Sequence, residues 1–189
     1  MNYIIKISNF LSDYIINIGN FESLEKIKIR YGIECMVSEI SKLMIYFIIF
    51  SMFSLTKEFI IAALFFSLFR VYSGGFHQDT YFKCLITSFL LLLIIIKMPD
   101  LIYFKLTTKI VLLMITYVLT FIYSPVDHAN KKIKSIEQRK KIKLFSIITL
   151  IILSIISLIL NPHLSNISIS ALFIQSLTLP VGKNHQEYS

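Results

Sequence analysis

Leu144-Phe-Ser-Ile-Ile-Thr-Leu-Ile-Ile-Leu-Ser-Ile-Ile-Ser-Leu-Ile-Leu160 carries no charged residue from end to end. A helix that crosses a bilayer needs about 20 mostly apolar residues, and this stretch with its flanks satisfies that length. Phe104 to Tyr123 and Tyr81 to Met98 read the same way. Three spans are therefore expected. The whole chain agrees: 56% of its 189 residues are hydrophobic, 16% are charged, and the mean hydropathy is +0.73, more apolar than a soluble domain of this size can bury. The fold class expected is an all-α integral membrane protein.

Three further runs, Ile40 to Leu55, Phe59 to Tyr72 and Leu164 to Leu179, are shorter or interrupted. Each suits a span with snorkelling polar ends, a re-entrant segment or a helix packed inside the bundle. The count is four to six, with about six transmembrane or partly re-entrant helices preceded by N-terminal amphipathic ones. A single membrane domain over 1–189 follows: interfacial helices in 1–39, membrane helices in 40–180, and a short polar tail in 181–189. No internal repeat or separate soluble domain interrupts it.

The formal net charge is +8, and seven of the nineteen basic residues crowd into Lys131, Lys132, Lys134, Arg139, Lys140, Lys141 and Lys143. Basic residues in short loops stay cytoplasmic, and anionic headgroups on that face attract them. The 124–143 segment is therefore a basic cytoplasmic loop, and the charge reports topology rather than nucleic-acid binding. With six crossings and a cytoplasmic N-terminus, parity puts residues 77 and 84 on the cytoplasmic side. Lys97, Lys105 and Lys109 fall near the opposite face, outnumbered by the cluster.

Near the start, no charged region followed by a compact apolar core and a small-residue cleavage site occurs, so the N-terminus is expected to be retained. Ile4, Ile7, Leu11, Tyr14 and Ile18 recur at alternating three- and four-residue spacing, the stripe of an amphipathic helix lying at the interface. Gly19-Asn20 breaks it. A second helical stretch, Phe21 to Lys42, is rich in charge and is expected to be partly solvated, either as a surface helix or as a docking lip for a substrate. Cys35 and Cys84 are the only cysteines, both assigned to the reducing side, where a structural disulfide is not expected.

Between two apolar runs lies Arg70-Val-Tyr-Ser-Gly-Gly-Phe-His-Gln-Asp-Thr-Tyr-Phe-Lys-Cys84. An imidazole near a thiol raises the thiolate fraction, which makes a cysteine a nucleophile. On one continuous helix His77 and Cys84 would stand about 10 Å apart along the axis, beyond the roughly 3 Å of proton transfer. The helix must break between them. Gly74-Gly75 permits a sharp turn, and Asp79 or Thr80 suits the cap of the next helix. Taken alone, Cys84 also suits a small packing residue and His77 a solvated one. Arg70 suits a topology anchor, a partner for Asp79, or a ligand for a carboxylate or lipid phosphate. No metal and no cofactor are expected: His128, His163 and His185 are scattered, and no spacing assembles three ligands.

At these residues the chain resembles the accessory gene regulator B (AgrB) family, membrane cysteine endopeptidases that process quorum-sensing propeptides. Arg70, Gly74, Gly75, His77 and Cys84 reproduce the family's Arg-x-x-x-Gly-Gly-x-His-x-x-x-x-x-x-Cys pattern, and Ser88 falls where members commonly have Ser or Thr. Tyr31-Gly32-Ile33-Glu34, the Ser124-Pro125-Val126-Asp127-His128-Ala129-Asn130-Lys131 loop and Gln175 to Pro180 extend the similarity over nearly the whole chain.

The resemblance implies that His77 is general base and Cys84 nucleophile. The enzyme would cut a short amphipathic propeptide on its C-terminal side, hold the remainder as a thioester on Cys84, and pass it to an internal Cys or Ser that closes a thiolactone or lactone. Thioester exchange is nearly balanced whereas hydrolysis runs downhill, so the site must exclude water and hold the internal nucleophile close. The competing function is a non-enzymatic membrane component for peptide binding or export. Asp127 and Asn130 suit loop-shaping residues or partners of the imidazole. Gln175 suits a hydrogen bond between helices or an oxyanion donor. The expected setting is a bacterial cell membrane with the site facing the cytoplasm. The propeptide, the bilayer and a second copy of the chain are the expected partners.

Overall fold

A computed structural model describes residues 2–19, 21–76, 78, 80–102, 104–127 and 135–187. The described residues form seven α-helices and no strand: α1 (Asn2–Ile18), α2 (Ser23–Met52), α3 (Thr56–Ser73), α4 (Tyr81–Leu101), α5 (Leu106–Tyr123), α6 (Ile136–Ile159) and α7 (Pro162–Glu187). Five of them, α2, α4, α5, α6 and residues 162–183 of α7, are long and apolar enough to cross a membrane. This is an all-α integral membrane protein.

α1 turns two small polar residues toward α2, on which it packs. Ser8 and Ser12 are buried, their hydroxyls donating to the Ile5 and Asn9 carbonyls at 3.0 and 2.9 Å, and Arg30 pairs with Asp13 at 2.8 Å. Ile7, Leu11, Tyr14 and Ile18 remain exposed, which leaves the apolar stripe free for a headgroup layer.

The sequence suggests two segments over 21–55, whereas the structure has one helix. α2 opens with the Glu22 N–H donating to the Glu25 carboxylate at 3.0 Å, half of a capping box, and runs unbroken for 30 residues. Gly32 is absorbed because a single glycine costs a helix only about 1 kcal/mol. At 1.5 Å per residue the helix is about 45 Å long, against about 30 Å of hydrocarbon. Its charged N-terminal half therefore extends beyond the apolar layer.

α7 is central, packing on α3, α4, α5 and α6. Its spanning window is 61% buried, against 17–28% for the other candidate spans. This explains its weaker hydropathy, since a helix shielded from lipid by protein tolerates hydroxyls. Ser165, Ser168, Ser170 and Ser176 are all buried. The last three return their hydroxyl protons to carbonyls three or four residues back, at 2.7–2.9 Å, and their small size admits neighbouring helices. Against this post α3 lays Phe59, Ala62, Phe65, Phe66 and Phe69, all buried, while Phe50 of α2 stacks on Phe59 at 5.2 Å and meets Phe89 of α4 at 5.6 Å.

Two expected boundaries move. α6 begins at Ile136, so Arg139, Lys140, Lys141 and Lys143 belong to a helix's first turns rather than to a loop; Lys131, Lys132 and Lys134 lie outside the described residues. α7 continues through Pro180 to Glu187, so most of the expected polar tail is helical.

Candidate active site at the break between α3 and α4

The helix breaks at the glycine pair. α3 stops at Ser73, α4 starts at Tyr81, and the bend begins at Gly74 with φ 73° and ψ −153°, a backbone region essentially closed to residues with a side chain. Gly75 follows with φ 146°.

Three other parts of the chain hold this bend. The segment after α5 supplies Val126, whose N–H donates to the Ser73 carbonyl at 3.0 Å. α7 supplies Gln175, whose Nε2 donates to the Gly74 carbonyl at 2.7 Å, and Thr178, whose carbonyl accepts the Phe76 N–H at 3.2 Å. Arg70, one turn before the bend, donates from Nη2 to the Phe76 carbonyl and lies 5.6 Å from the Phe66 ring. Close approach accounts for both glycines: a Cβ on Gly74 would stand 2.1 Å from the Val126 carbonyl oxygen, and one on Gly75 2.6 Å from Thr178 Oγ1. Gly182 of α7 completes the contact, since a Cβ there would meet the Gly75 carbonyl carbon and the Phe76 nitrogen at 2.8 Å.

Cys84 sits in the first turn of α4, half-buried, its N–H donating to the Thr80 carbonyl at 2.9 Å. Thr80 occupies the N-cap position without a side-chain cap bond. The thiol faces α2. Lys42 Nζ donates to Cys84 Sγ at 3.2 Å and to Glu39 Oε1 at 2.5 Å, and Ser88 Oγ lies 4.0 Å from the same sulfur. Two hydrogen bonds bracket this contact along the α2–α4 seam: Ser41 Oγ with Tyr81 Oη at 2.9 Å, and Tyr46 Oη donating to the Leu85 carbonyl at 2.8 Å. Gln78 Nε2 reaches Thr87 Oγ1 at 3.5 Å, so the Gln78 side chain lies along the first turns of α4.

The other residues singled out in the sequence are placed as follows. His77, Asp79 and Asn130 lie outside the described residues. Asp127 pairs with Arg139 at 2.5 Å, and Arg139 also donates to the Pro125 carbonyl at 3.4 Å. The start of α6 thereby fixes the segment that carries Val126. Gln175 is a tether from helix to bend, its amide N–H engaged by the Gly74 carbonyl. Among the described residues no group of three His, Cys, Asp or Glu is arranged to hold a metal.

Beside the bend opens a cleft of about 510 Å³ lined by Tyr123, Pro125, Val126, Arg139, Lys140, Lys143 and Lys183, among others. Cys84 does not line it. Lys143 lies 4.5 Å from the Phe121 ring and Lys183 5.6 Å from the Tyr123 ring.

The model of the family described as accessory gene regulator B matches residues 5–179. The chain belongs to the AgrB family. An AgrB-like protein of Clostridium beijerinckii is 29% identical over 155 residues, covering 81% of this chain and 77% of its own. An AgrB-like protein of Clostridium acetobutylicum is 28% identical over 174 residues, with 88% and 83% covered. The accessory gene regulator protein B of Staphylococcus aureus strain Newman is 23% identical over 179 residues, with 95% and 94% covered. No solved structure matches. Membership in AgrB places the chain in accessory gene regulation, a quorum-sensing function.

Sequence reasoning missed Lys42 and Glu39, and it missed Thr178 and Gly182 as supports of the bend. A signal existed for the first pair: Lys42 is the last charge before the apolar run of α2, three residues after Glu39 and so on the same helical face.

Proposed function

We propose that this AgrB protein is a membrane cysteine endopeptidase that cleaves a short amphipathic propeptide and hands its N-terminal part to ring closure. Cys84 is the nucleophile and His77 the base. The Cys84 thiolate attacks a peptide carbonyl, the C–N bond breaks, the protonated imidazole gives its proton to the leaving amine, and the acyl part stays as a thioester. A thiol or hydroxyl within the bound peptide then gives its proton to the neutral His77 imidazole and attacks that thioester. The new bond closes the ring and Cys84 leaves as thiolate.

The observation that carries this reading is the contact of the Cys84 sulfur with a buried ammonium, 3.2 Å away, just past a break held by three other parts of the chain. A packing cysteine needs neither feature. Water exclusion is served by the seam, where Tyr46, Phe50 and Leu92 are buried. The cleft of Arg139, Lys140, Lys143 and Lys183 beside Val126 suits an acidic peptide tail. The basic cluster in the sequence supports a cytoplasmic setting for this end of the bundle.

Co-expression with a candidate propeptide tests the reading. Cys84→Ala and His77→Ala should each abolish cleavage at parental membrane levels, and the parent should yield a propeptide thioester on Cys84 that hydroxylamine releases. Cleavage that persists in either variant returns the chain to a binding or export role.

A further inference from the structure

We propose that Lys42 is a third catalytic residue, the cation that holds the Cys84 thiolate in the attacking position, with Glu39 keeping its ammonium in place. This rests on the assignment of Cys84 as nucleophile and adds what charges it.

Lysines at membrane boundaries ordinarily snorkel, laying the methylenes on apolar surface and lifting the ammonium into water. Lys42 does the reverse. Its side chain is 4% exposed while that of its partner Glu39 is 58% exposed, so the carboxylate reaches the solvent and the ammonium turns inward to the sulfur. A buried ammonium is costly unless its donors are satisfied. Glu39 takes one N–H and Cys84 Sγ another, and the Tyr81 ring lies 6.0 Å from the nitrogen. A thiol accepts weakly, a thiolate strongly, so the site is best satisfied when the sulfur is charged.

The placement is also rigid. Ser41–Tyr81 and Tyr46–Leu85 lock α2 to α4 on both sides of Lys42, which fixes the nitrogen relative to the sulfur without a loop between them. The charge arithmetic gives the two residues opposite signs. Lys42 favours the thiolate, whereas Glu39, a negative charge on the far side of the same nitrogen, opposes it while anchoring the lysine. During the first half-reaction the sulfur's electron pair forms the S–C bond, the C–N pair leaves on the amine, and His77 gives that amine its proton; the charge returns to the sulfur when the internal nucleophile, deprotonated by His77, displaces Cys84. Lys42 is next to that charge at both moments, and the ammonium gives up no proton.

The test is the rate at which iodoacetamide alkylates Cys84 in the purified protein in lipid nanodiscs, followed by mass spectrometry from pH 5.5 to 10. The background is Cys35→Ala, which removes an exposed thiol outside the site. In that background Lys42→Met should slow alkylation at pH 7 about tenfold and should converge on the parent at the alkaline end. Glu39→Gln should not slow it. A rate in Lys42→Met equal to the parent's at every pH overturns the proposal. So does an equal loss in both variants that persists at alkaline pH, because that is the signature of damaged packing. Neither result touches the endopeptidase assignment, which stands or falls on propeptide cleavage by Cys84→Ala and His77→Ala.

Discussion

Gly74→Ala is the substitution that should hurt most for the fewest atoms added. At φ 73° and ψ −153° an alanine occupies a backbone region that costs on the order of 1–3 kcal/mol. The added methyl would stand 2.1 Å from the Val126 carbonyl oxygen, with the Val126 nitrogen at 3.1 Å, so no side chain can move aside and the backbone itself must part. Parting breaks the Val126-to-Ser73 hydrogen bond, worth about 0.5–1.5 kcal/mol. The sum is about 2–4 kcal/mol against the native bend, which reduces its population by about thirtyfold to several hundredfold. Gly32→Ala is the matched control, because nothing lies within 4 Å of a Cβ there and helix propensity favours alanine by about 1 kcal/mol. Propeptide cleavage in membranes, normalised to protein level, reads the difference. Gly74→Ala should lose at least thirtyfold and Gly32→Ala nothing. Parental turnover in Gly74→Ala would show that the tight approach of 74 to 126 is not part of the working site.

Two other substitutions have definite outcomes. Cys84→Ser keeps a hydroxyl but loses the readily formed thiolate, so cleavage should fall below detection while the protein still inserts, and a serine variant with measurable turnover would contradict a thiolate mechanism. Gln175→Leu removes the donor to the Gly74 carbonyl and leaves that oxygen unpartnered by α7, at a cost of about 1–3 kcal/mol; protease sensitivity between Ser73 and Tyr81 should rise together with the loss of cleavage, and a loss of cleavage without it would restore an oxyanion role for the amide.

Most of the architecture was legible because bilayer solvation imposes long apolar helices, and every apolar run picked out in the sequence falls on a helix of the structure, although Ile40 to Leu55, Phe104 to Tyr123 and Leu144 to Leu160 each overrun its end by one to three residues. What stayed hidden depends on neighbours. Leu164 to Leu179 reads as an interrupted run because of its serines, yet it lies within the most buried helix; hydropathy measures affinity for lipid and is silent about a helix that other helices shield. The 21–55 region reads as two elements because its composition changes from charged to apolar, but composition marks the bilayer boundary and not the end of a helix, and no proline stops the hydrogen-bond ladder there.

The candidate site divides along the same line. The break between residues 73 and 81 was legible from the glycine pair, which is local in sequence. Lys42 is separated from Cys84 by 42 residues, and nothing in either residue's surroundings announces the other. Its position could be sought by one physical question: where does the last charge before an apolar run go if the run is packed against a partner helix? A lysine there must either snorkel or find an anion. With Tyr46 and Phe50, one and two turns further on, buried against α4, the same face of α2 carries Lys42 into the bundle, and Cys84 lies one turn toward the N-terminus from Ser88 and Phe89 on the face it meets. Cys84 and Lys42 are thus set in register by aromatic packing deeper in the membrane, which makes the Tyr46–Phe50–Phe89 cluster a determinant of the distance between Nζ and Sγ and not only of stability.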